Sequence, residues 1–272
     1  MMLNYWTHVG GRRRDCDNQP VVTTAILQAR MKSTRLPGKI LAPLLGEPMV
    51  ARQLERIQRA QRLDDIVLAT STDPSDDPLV AWAEAKDIKV FRGSLTDVLM
   101  RFVEVIDHFQ PDLVVRLTAD CPLTSPAVID SVIDTFYSSD VDYCSNTLTP
   151  TFPDGLDVEV IRADVLREVA ADSTDPVERE HVTLGVYRHP ERYRLANFEG
   201  TEDHSDLRWT VDTPEDMAFV TAVYEALYPV DPAFEMRDVL ELIARTPGLS
   251  RTTEHAMRNA ALAGLNTGAM NV

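Results

Sequence analysis

The 272-residue sequence is poor in cysteine and lysine, and it contains no long apolar run. Its three cysteines, Cys16, Cys121 and Cys144, have neither metal-binding nor disulfide-type spacing, which fits a reducing cytoplasm. No apolar stretch approaches the ~20 residues that a membrane helix requires, and residues 1–20 lack the apolar core of a signal peptide. We therefore expect a cytoplasmic protein without a membrane segment, in which residues 1–20 form a flexible extension.

Basic charge is also scarce, since the formal net charge is -16. Binding to duplex nucleic acid needs a broad basic surface, so the overall charge disfavours a nucleic-acid partner. The sequence has no Gly-rich dinucleotide fingerprint, no Walker-type loop, no His-rich zinc motif and no Ser nucleophile elbow. The composition remains compatible with a small polyanion that enters one local cationic pocket.

Strand-like runs alternate with helical patterns, which predicts an α/β fold with a mostly parallel sheet flanked by helices. The predicted strands are Val21–Leu27, Asp65–Thr70, Ile88–Phe91, Leu113–Leu117, Val141–Ser145, Leu156–Val160 and Leu207–Val211. The predicted helices are Met49–Ala60, Asp77–Ala85, Thr96–His108, Ser125–Phe136, Pro214–Ala226 and Phe234–Arg245. This pattern places a main domain over residues 21–228, followed by a C-terminal helix and tail over 229–272.

The segment from Gln28 to Lys39, directly after the first predicted strand, is the strongest sign of function. It contains the cations Arg30, Lys32, Arg35 and Lys39, and no acidic residue occurs between positions 18 and 46. The whole chain has only four lysines, and two of them lie in this segment. Cationic loops at the carboxyl ends of strands hold phosphates in open α/β sheets. We interpret the segment as a phosphate-binding loop, with an ordinary solvated basic loop as the alternative.

Two acidic residues, Asp120 and Asp212, directly follow predicted strands. If these strands are parallel neighbours, both carboxylates lie at the sheet edge that carries the cationic loop. Such oxygen ligands suit Mg²⁺, which is usually held by one or two carboxylates and by substrate phosphates. Asp212 also precedes a capping pattern at Thr213 and Asp216, and Asp120 could instead be a buried carboxylate satisfied by backbone N–H groups.

Three further residues are weaker candidates. In a strand, Asp157 and Glu159 would share one face, which is either solvated or binds the hydroxyl groups of a polar substrate. His181 lies among charged residues, and an exposed helix explains it equally well.

Six segments together resemble the CMP-sugar synthetases, and in particular the branch of cytidylyltransferases related to spore-coat polysaccharide biosynthesis. They occur in the order of that family, and the resemblance covers about residues 21–227. The segments are Gln28–Lys39, Phe91–Ser94, Thr118–Leu123, Asp154–Glu159, Arg179–Thr183 and Arg208–Asp216.

The resemblance implies a nucleotidyltransferase fold of the glycosyltransferase-A type, with CTP as donor, Mg²⁺ as cofactor and a sugar-acid acceptor. It also implies a homodimer formed through a small lobe at about residues 143–193. Residues implied to contact the nucleotide are Gln28, Ala29, Arg30, Ser33, Arg35, Lys39, Arg92, Ser94 and Asp120, of which Arg92 and Ser94 would lie near the cytosine and ribose. Arg30, Lys39, Asp120 and Asp212 would be catalytic, the two acids as ligands of Mg²⁺. Asp157, Glu159, Glu180, His181 and Arg208 would line the sugar side.

Two positions depart from the pattern of this branch, because Lys32 and Ala119 stand where glycine is usual. Neither change removes a charged functional group, so we expect an active enzyme. The alternatives are a nucleotidyltransferase of other base or acceptor specificity, a glycosyltransferase on the same fold, and a non-catalytic nucleotide-binding module.

Overall fold

A computed structural model describes residues 20–252 and the backbone of residues 7–9 and 12–14. The strands are β1 (Thr7–Val9), β2 (Arg12–Arg14), β3 (Thr23–Gln28), β4 (Pro43–Leu44), β5 (Glu47–Pro48), β6 (Asp65–Ser71), β7 (Val90–Gly93), β8 (Leu113–Thr118), β9 (Tyr143–Ser145), β10 (Glu159–Arg162) and β11 (Leu195–Asn197). The α-helices are α1 (Met49–Ile57), α2 (Asp77–Ala85), α3 (Val98–Phe109), α4 (Pro126–Ser138), α5 (Ala163–Asp172), α6 (Pro176–His181), α7 (Leu184–Tyr187), α8 (Pro214–Leu227) and α9 (Met236–Arg245).

The main sheet has seven strands in the order β11-β9-β10-β8-β3-β6-β7. The central strand β3 is parallel to both neighbours, and Gln28 at its carboxyl end lies opposite Thr118 of β8 and Ala69 of β6. Strand β7 extends the parallel part, whereas β10 runs antiparallel to both β8 and β9. The prediction of an α/β fold with a mostly parallel sheet flanked by helices is confirmed.

The central strand is apolar on both faces because helices cover the sheet on both sides. Ala25 and Leu27 pack into a core that includes residues of α1, α4 and α8. Ile26 points the other way, into a second core with residues of α3 and α5. The two layers leave the carboxyl ends of β3 and β8 open, and this edge positions the site described below.

Two strand predictions, at residues 207–211 and 156–160, differ from the structure. Residues 207–211 form only isolated bridges, because their N–H groups bond to separate parts of the chain: Arg208 to Arg251, Trp209 to Asp154 and Val211 to Asp120. The strand predicted at 156–160 begins only at Glu159. Before it, the Asn146 side chain takes the place of a neighbouring strand, since it donates to the Leu156 carbonyl and accepts from the Val158 N–H.

The predicted end regions are only partly described. Within 1–20 the structure shows β1 paired antiparallel with β2, and the remaining residues before Pro20 lie outside the described part. Residues 143–193, predicted as an inserted lobe, supply β9 and β10 to the main sheet and also form α5 to α7. Beyond α9 the chain packs back as far as Thr252, and residues 253–272 are outside the described part. No helix in the described part is both long and apolar enough to cross a bilayer.

Candidate active site

A cavity of about 720 Å³ opens at the carboxyl ends of β3 and β8. Its volume is within the range of small-molecule sites in proteins. The cationic loop forms one wall, and another is formed by Leu95, in the loop before α3, with Val98 and Arg101 at the start of that helix. Eight residues that we had predicted to be catalytic or nucleotide-binding line the cavity. They are Gln28, Ala29, Arg30, Ser33, Arg35, Lys39, Asp120 and Asp212.

A tight turn and a buried carboxylate hold the cationic loop in place. Gly38 adopts φ = 74°, a left-handed conformation that suits glycine, and its N–H donates to the Met31 carbonyl over 3.2 Å. The Met31 N–H in turn donates to Asp76 Oδ1 over 2.7 Å. Asp76 is 1% exposed and also accepts from the Ser71 N–H. Sequence reasoning missed Asp76, because nothing in its local pattern reveals a bond to a loop 45 residues earlier.

Lys39 brings the two predicted metal ligands together. Its Nζ lies 3.3 Å from Asp120 Oδ2 and 2.9 Å from Asp212 Oδ1, and it donates to the Val211 carbonyl over 2.7 Å. The backbone joins the same two segments, since the Val211 N–H donates to the Asp120 carbonyl over 2.8 Å. The loops of Asp120 and Asp212 therefore meet directly, although no strand precedes Asp212.

The charges in this cluster reinforce one another. Burial by itself would lower the pKa of Lys39, but Asp120 and Asp212 outweigh it and raise that pKa. Burial would likewise raise the pKa of Asp212, yet Lys39, Arg208 and Arg35 hold it below its ordinary value. Burial therefore does not neutralise the Lys39 ammonium group or the Asp212 carboxylate at neutral pH.

Arg208 was predicted to line the sugar side, and the structure instead places it behind Asp212. Its side chain is 4% exposed and lies among three carboxylates. Nη1 donates to Asp154 over 2.8 Å, and Nη2 donates to Asp212 over 2.6 Å. The third carboxylate, of Asp216, is 3.7 Å away. Because Asp212 borders the cavity and Arg208 does not, Arg208 orients an acid of the site from behind.

Glu159 is buried. This contradicts the alternative in which Asp157 and Glu159 share a solvated face. It is 7% exposed and forms an ion pair with Arg116. Its Oε1 accepts from the Tyr143 hydroxyl over 2.7 Å and from the Thr183 hydroxyl over 2.5 Å. Arg116 also approaches the cavity, because its Nη2 lies 3.5 Å from Oε1 of Gln28. Glu159 thus belongs to a buried network that meets the cavity lining at Gln28, through Arg116.

The remaining sugar-side candidates do not line the cavity. Asp157 is half-buried and Glu180 is exposed. His181 is half-buried, and burial lowers its pKa. It begins a tight turn in which Val182 has φ = 53° and the Thr183 N–H donates to the His181 carbonyl over 2.6 Å. A positive φ at a β-branched residue is strained, so tertiary contacts impose this turn.

Arg92 and Ser94 also stand outside the cavity lining. The Arg92 guanidinium donates to the carbonyls of Ser71 and Asp73, and the Ser94 carbonyl accepts from Arg101 over 2.8 Å. Arg101, which sequence reasoning missed, is 1% exposed and reaches into the cavity wall. The signal that could have found it is a cation on the apolar face of α3.

The comparisons with known proteins agree with this geometry. A family model described as cytidylyltransferase matches residues 24–242. This chain belongs to the cytidylyltransferase family. As such it is a CTP-dependent nucleotidyltransferase, which confirms the resemblance found in the sequence.

Individual relatives of this cytidylyltransferase support the assignment. The spore coat polysaccharide biosynthesis protein SpsF of Bacillus subtilis is 34% identical over 84% of this chain and 97% of its own length. The 3-deoxy-manno-octulosonate cytidylyltransferase of Geobacter metallireducens is 37% identical, over 40% of this chain and 42% of its own. Among solved structures, a cytidylyltransferase from Leptospira borgpetersenii superposes with a TM-score of 0.80 at 29% identity, covering 84% and 96% of the two chains.

The acids of this cytidylyltransferase fit a divalent cation that is shared with a substrate. No group of three or more His, Cys, Asp or Glu residues within the described ranges is arranged to hold a metal ion. Asp120 and Asp212, however, already converge on one cation, the Lys39 ammonium. Two carboxylates completed by phosphate oxygens are a donor set that Mg²⁺ uses. The residues present therefore fit Mg²⁺ bound together with a nucleotide.

Proposed function

We propose that this cytidylyltransferase transfers CMP from CTP to a hydroxyl group of a sugar-acid acceptor and releases pyrophosphate, for the synthesis of an activated surface sugar. The observation that carries the proposal is the cavity in which the cationic loop faces Asp120 and Asp212 across Lys39. The names of the relatives support the details. One acts in polysaccharide biosynthesis, and another is a cytidylyltransferase named for 3-deoxy-manno-octulosonate, a sugar acid.

In the proposed reaction the acceptor hydroxyl attacks the α-phosphate of CTP and loses its proton to the surrounding water, and the bond from that phosphorus to the bridging oxygen of pyrophosphate breaks. Arg30 and Lys39 neutralise the phosphates and hold them in line with the acceptor. Mg²⁺, held by Asp120 and Asp212, would offset charge that develops on the leaving group. Positioning and preorganised charge supply most of the rate, as is usual for phosphoryl transfer.

The first test is a thermal-shift panel of CTP, UTP, GTP, ATP and dTTP, each with and without Mg²⁺. A ligand that binds only the folded state raises the unfolding temperature by mass action. A Mg²⁺-dependent shift that is largest with CTP supports the proposal and justifies an acceptor screen by pyrophosphate release. Equal shifts with all five nucleotides, or no shift with any, would contradict it.

Arg101 provides a prediction about nucleotide binding. Its guanidinium donates to the carbonyls of Ser94 and Leu95, over 2.8 and 3.2 Å, and so fixes the loop that forms one cavity wall. Replacing Arg101 with Met removes these bonds and a cation near Arg30. We expect CTP affinity to fall about tenfold, which corresponds to ~1.4 kcal/mol and to one hydrogen bond from a charged group. Isothermal titration calorimetry measures the change, and Arg101→Lys, which keeps the charge but not the fork of donors, should lose less.

A homodimer and a cytoplasmic location remain predictions. Light scattering on the purified full chain should give twice the monomer mass of 30.4 kDa. A mass equal to the monomer across the accessible concentration range would contradict the dimer.

A further inference from the structure

The segment that follows α9 returns to the active site and packs behind Asp212. The Arg208 N–H donates to the Arg251 carbonyl over 2.9 Å, and Thr252 pairs with Leu207 in an isolated antiparallel bridge. The match to the cytidylyltransferase model ends at residue 242, so this segment lies beyond it. Backbone bonds therefore place Arg251 against the loop that carries one of the two acids.

The Arg251 side chain meets a buried carboxylate there. Nη2 lies 2.8 Å and Nε 3.3 Å from Oδ1 of Asp216, which is 1% exposed. The other oxygen of Asp216 accepts from the N–H groups of Asp212 and Thr213, both over 3.0 Å. One carboxylate thus fixes the backbone of Asp212, and Arg251 supplies its counter-charge.

The charge of Arg251 determines whether the Arg208 guanidinium binds the carboxylate of Asp212 or that of Asp216. Arg208 Nη2 lies 2.6 Å from Oδ2 of Asp212 but 3.7 Å from Oδ2 of Asp216. A buried carboxylate that loses its partner is strongly unfavourable, so a neighbouring cation is drawn towards it. Without Arg251, Arg208 would move towards Asp216 and release Asp212. With Arg251 present, Arg208 stays on Asp212 and holds its carboxylate at the cavity edge.

We infer that Arg251 is a positioning residue for Asp212 and acts through Asp216 and Arg208. The inference rests on the proposed function, in which Asp212 is a ligand of Mg²⁺. Groups behind a metal ligand orient it, and losing one typically weakens metal affinity or activity by about 10–100-fold. Arg251 never touches the nucleotide in this scheme, so its effect should appear only when Mg²⁺ is present.

Calorimetric titration of the full chain with CTP, with and without Mg²⁺, tests the inference without an acceptor. Arg251→Met should reduce the gain in CTP affinity that Mg²⁺ provides by about tenfold or more, and leave the affinity without Mg²⁺ unchanged. Arg62→Met is the matched control. Arg62 pairs with Asp134 and precedes β6, at the amino ends of the parallel strands, whereas the cavity lies at their carboxyl ends. Its removal should therefore change neither affinity.

A second set of variants separates positioning from simple structural support. Adding Arg251→Met to Asp212→Asn should cause no further loss, because Arg251 acts only through Asp212. Arg251→Lys, which retains the charge and a single donor atom, should recover part of the Mg²⁺ effect and covers the case in which Arg251→Met does not fold. Equal losses with and without Mg²⁺, or additive losses with Asp212→Asn, would overturn the inference. A wild-type chain that binds no CTP in either condition would instead overturn the proposed function, and the inference with it.

Discussion

Replacing Lys39 with Met is expected to lower the turnover of pyrophosphate release by about 100-fold or more, the scale of losing a preorganised electrostatic contact. Lys39 is 7% exposed, and its ammonium group contacts both acids of the site. Methionine keeps most of the aliphatic stem and removes only the charge. Steady-state kinetics with the acceptor found in the screen measure the effect. Lys86→Met is the control, because Lys86 is an exposed residue paired loosely with Glu47 at 3.9 Å.

Asp120→Asn should lower turnover by a factor similar to that of Lys39→Met. It should also destabilise the fold less than Lys39→Met does. Asp120 makes its ion pair with Lys39, whereas Asp212 is also bound by Arg208 and Arg35. Removing the Asp120 charge therefore leaves Lys39 with a partner. Full Mg²⁺-dependent turnover in purified Asp120→Asn would show that this acid is not a metal ligand, and full turnover in Lys39→Met would remove Lys39 from the catalytic group.

The largest effect on stability is expected at Glu159. Replacing it with Ala leaves Arg116 without its carboxylate, and breaking a buried pair in this way typically costs about 3–5 kcal/mol. The hydroxyl groups of Tyr143 and Thr183 lose their acceptor as well. Urea unfolding gives the free-energy change. Glu241→Ala, which breaks the exposed pair with Arg237, should change the stability by about 0–1 kcal/mol. Comparable costs for the two variants would contradict the buried network.

The ion pair of Glu159 with Arg116 also predicts how the free energy of unfolding depends on pH. Burial by itself would raise the pKa of Glu159, but Arg116 and the two hydroxyl groups outweigh it and hold the pKa below its ordinary value of 4.5. Because the pKa is depressed in the folded state, the stabilisation is present above about pH 4.5 and is lost as the pH falls through the folded-state value. Glu159→Gln removes this component, so its free energy of unfolding should fall less steeply in acid. Identical slopes for wild type and variant would exclude the assignment.

The sequence was sufficient to predict the elements that have strong local signals. Helix α2 was predicted exactly, at Asp77–Ala85, and α4 and α8 were predicted to within a few residues, because Pro at the first turn follows a Ser or Thr cap in both. The central strands were found from their apolar runs. The failures occurred where a segment bonds to something other than one neighbouring strand: the Asn146 side chain bonds to Val158, and the N–H groups of residues 208–211 bond to separate parts of the chain. Such long-range bonds leave no periodic trace in a single sequence.

The candidate site shows the same division. The convergence of the cationic loop with Asp120 and Asp212 could be predicted, because the loop departs locally from the acidic composition of the chain and each acid directly follows a predicted strand. The difference between Glu159 and Asp157 could not be predicted, since both satisfy the same alternation while Glu159 is buried and forms an ion pair with Arg116. The position of Arg208 behind Asp212 could not be predicted for a related reason: its three carboxylate neighbours include Asp154, which lies 54 residues away in the sequence.

The contact between Lys39 and Asp212 spans 173 residues of sequence, and this separation has a consequence for synthesis. Chains emerge from the ribosome amino end first, and early segments fold before later ones are made. The cationic loop and strands β3, β6, β7 and β8 are therefore available long before residue 212 is translated. Until residues 208–216 and Arg251 have emerged, Lys39 has only Asp120 as a counter-ion. A chain that ends before residue 212 therefore lacks one of the two acids of the site, and it also lacks α8, which covers one face of the central strand.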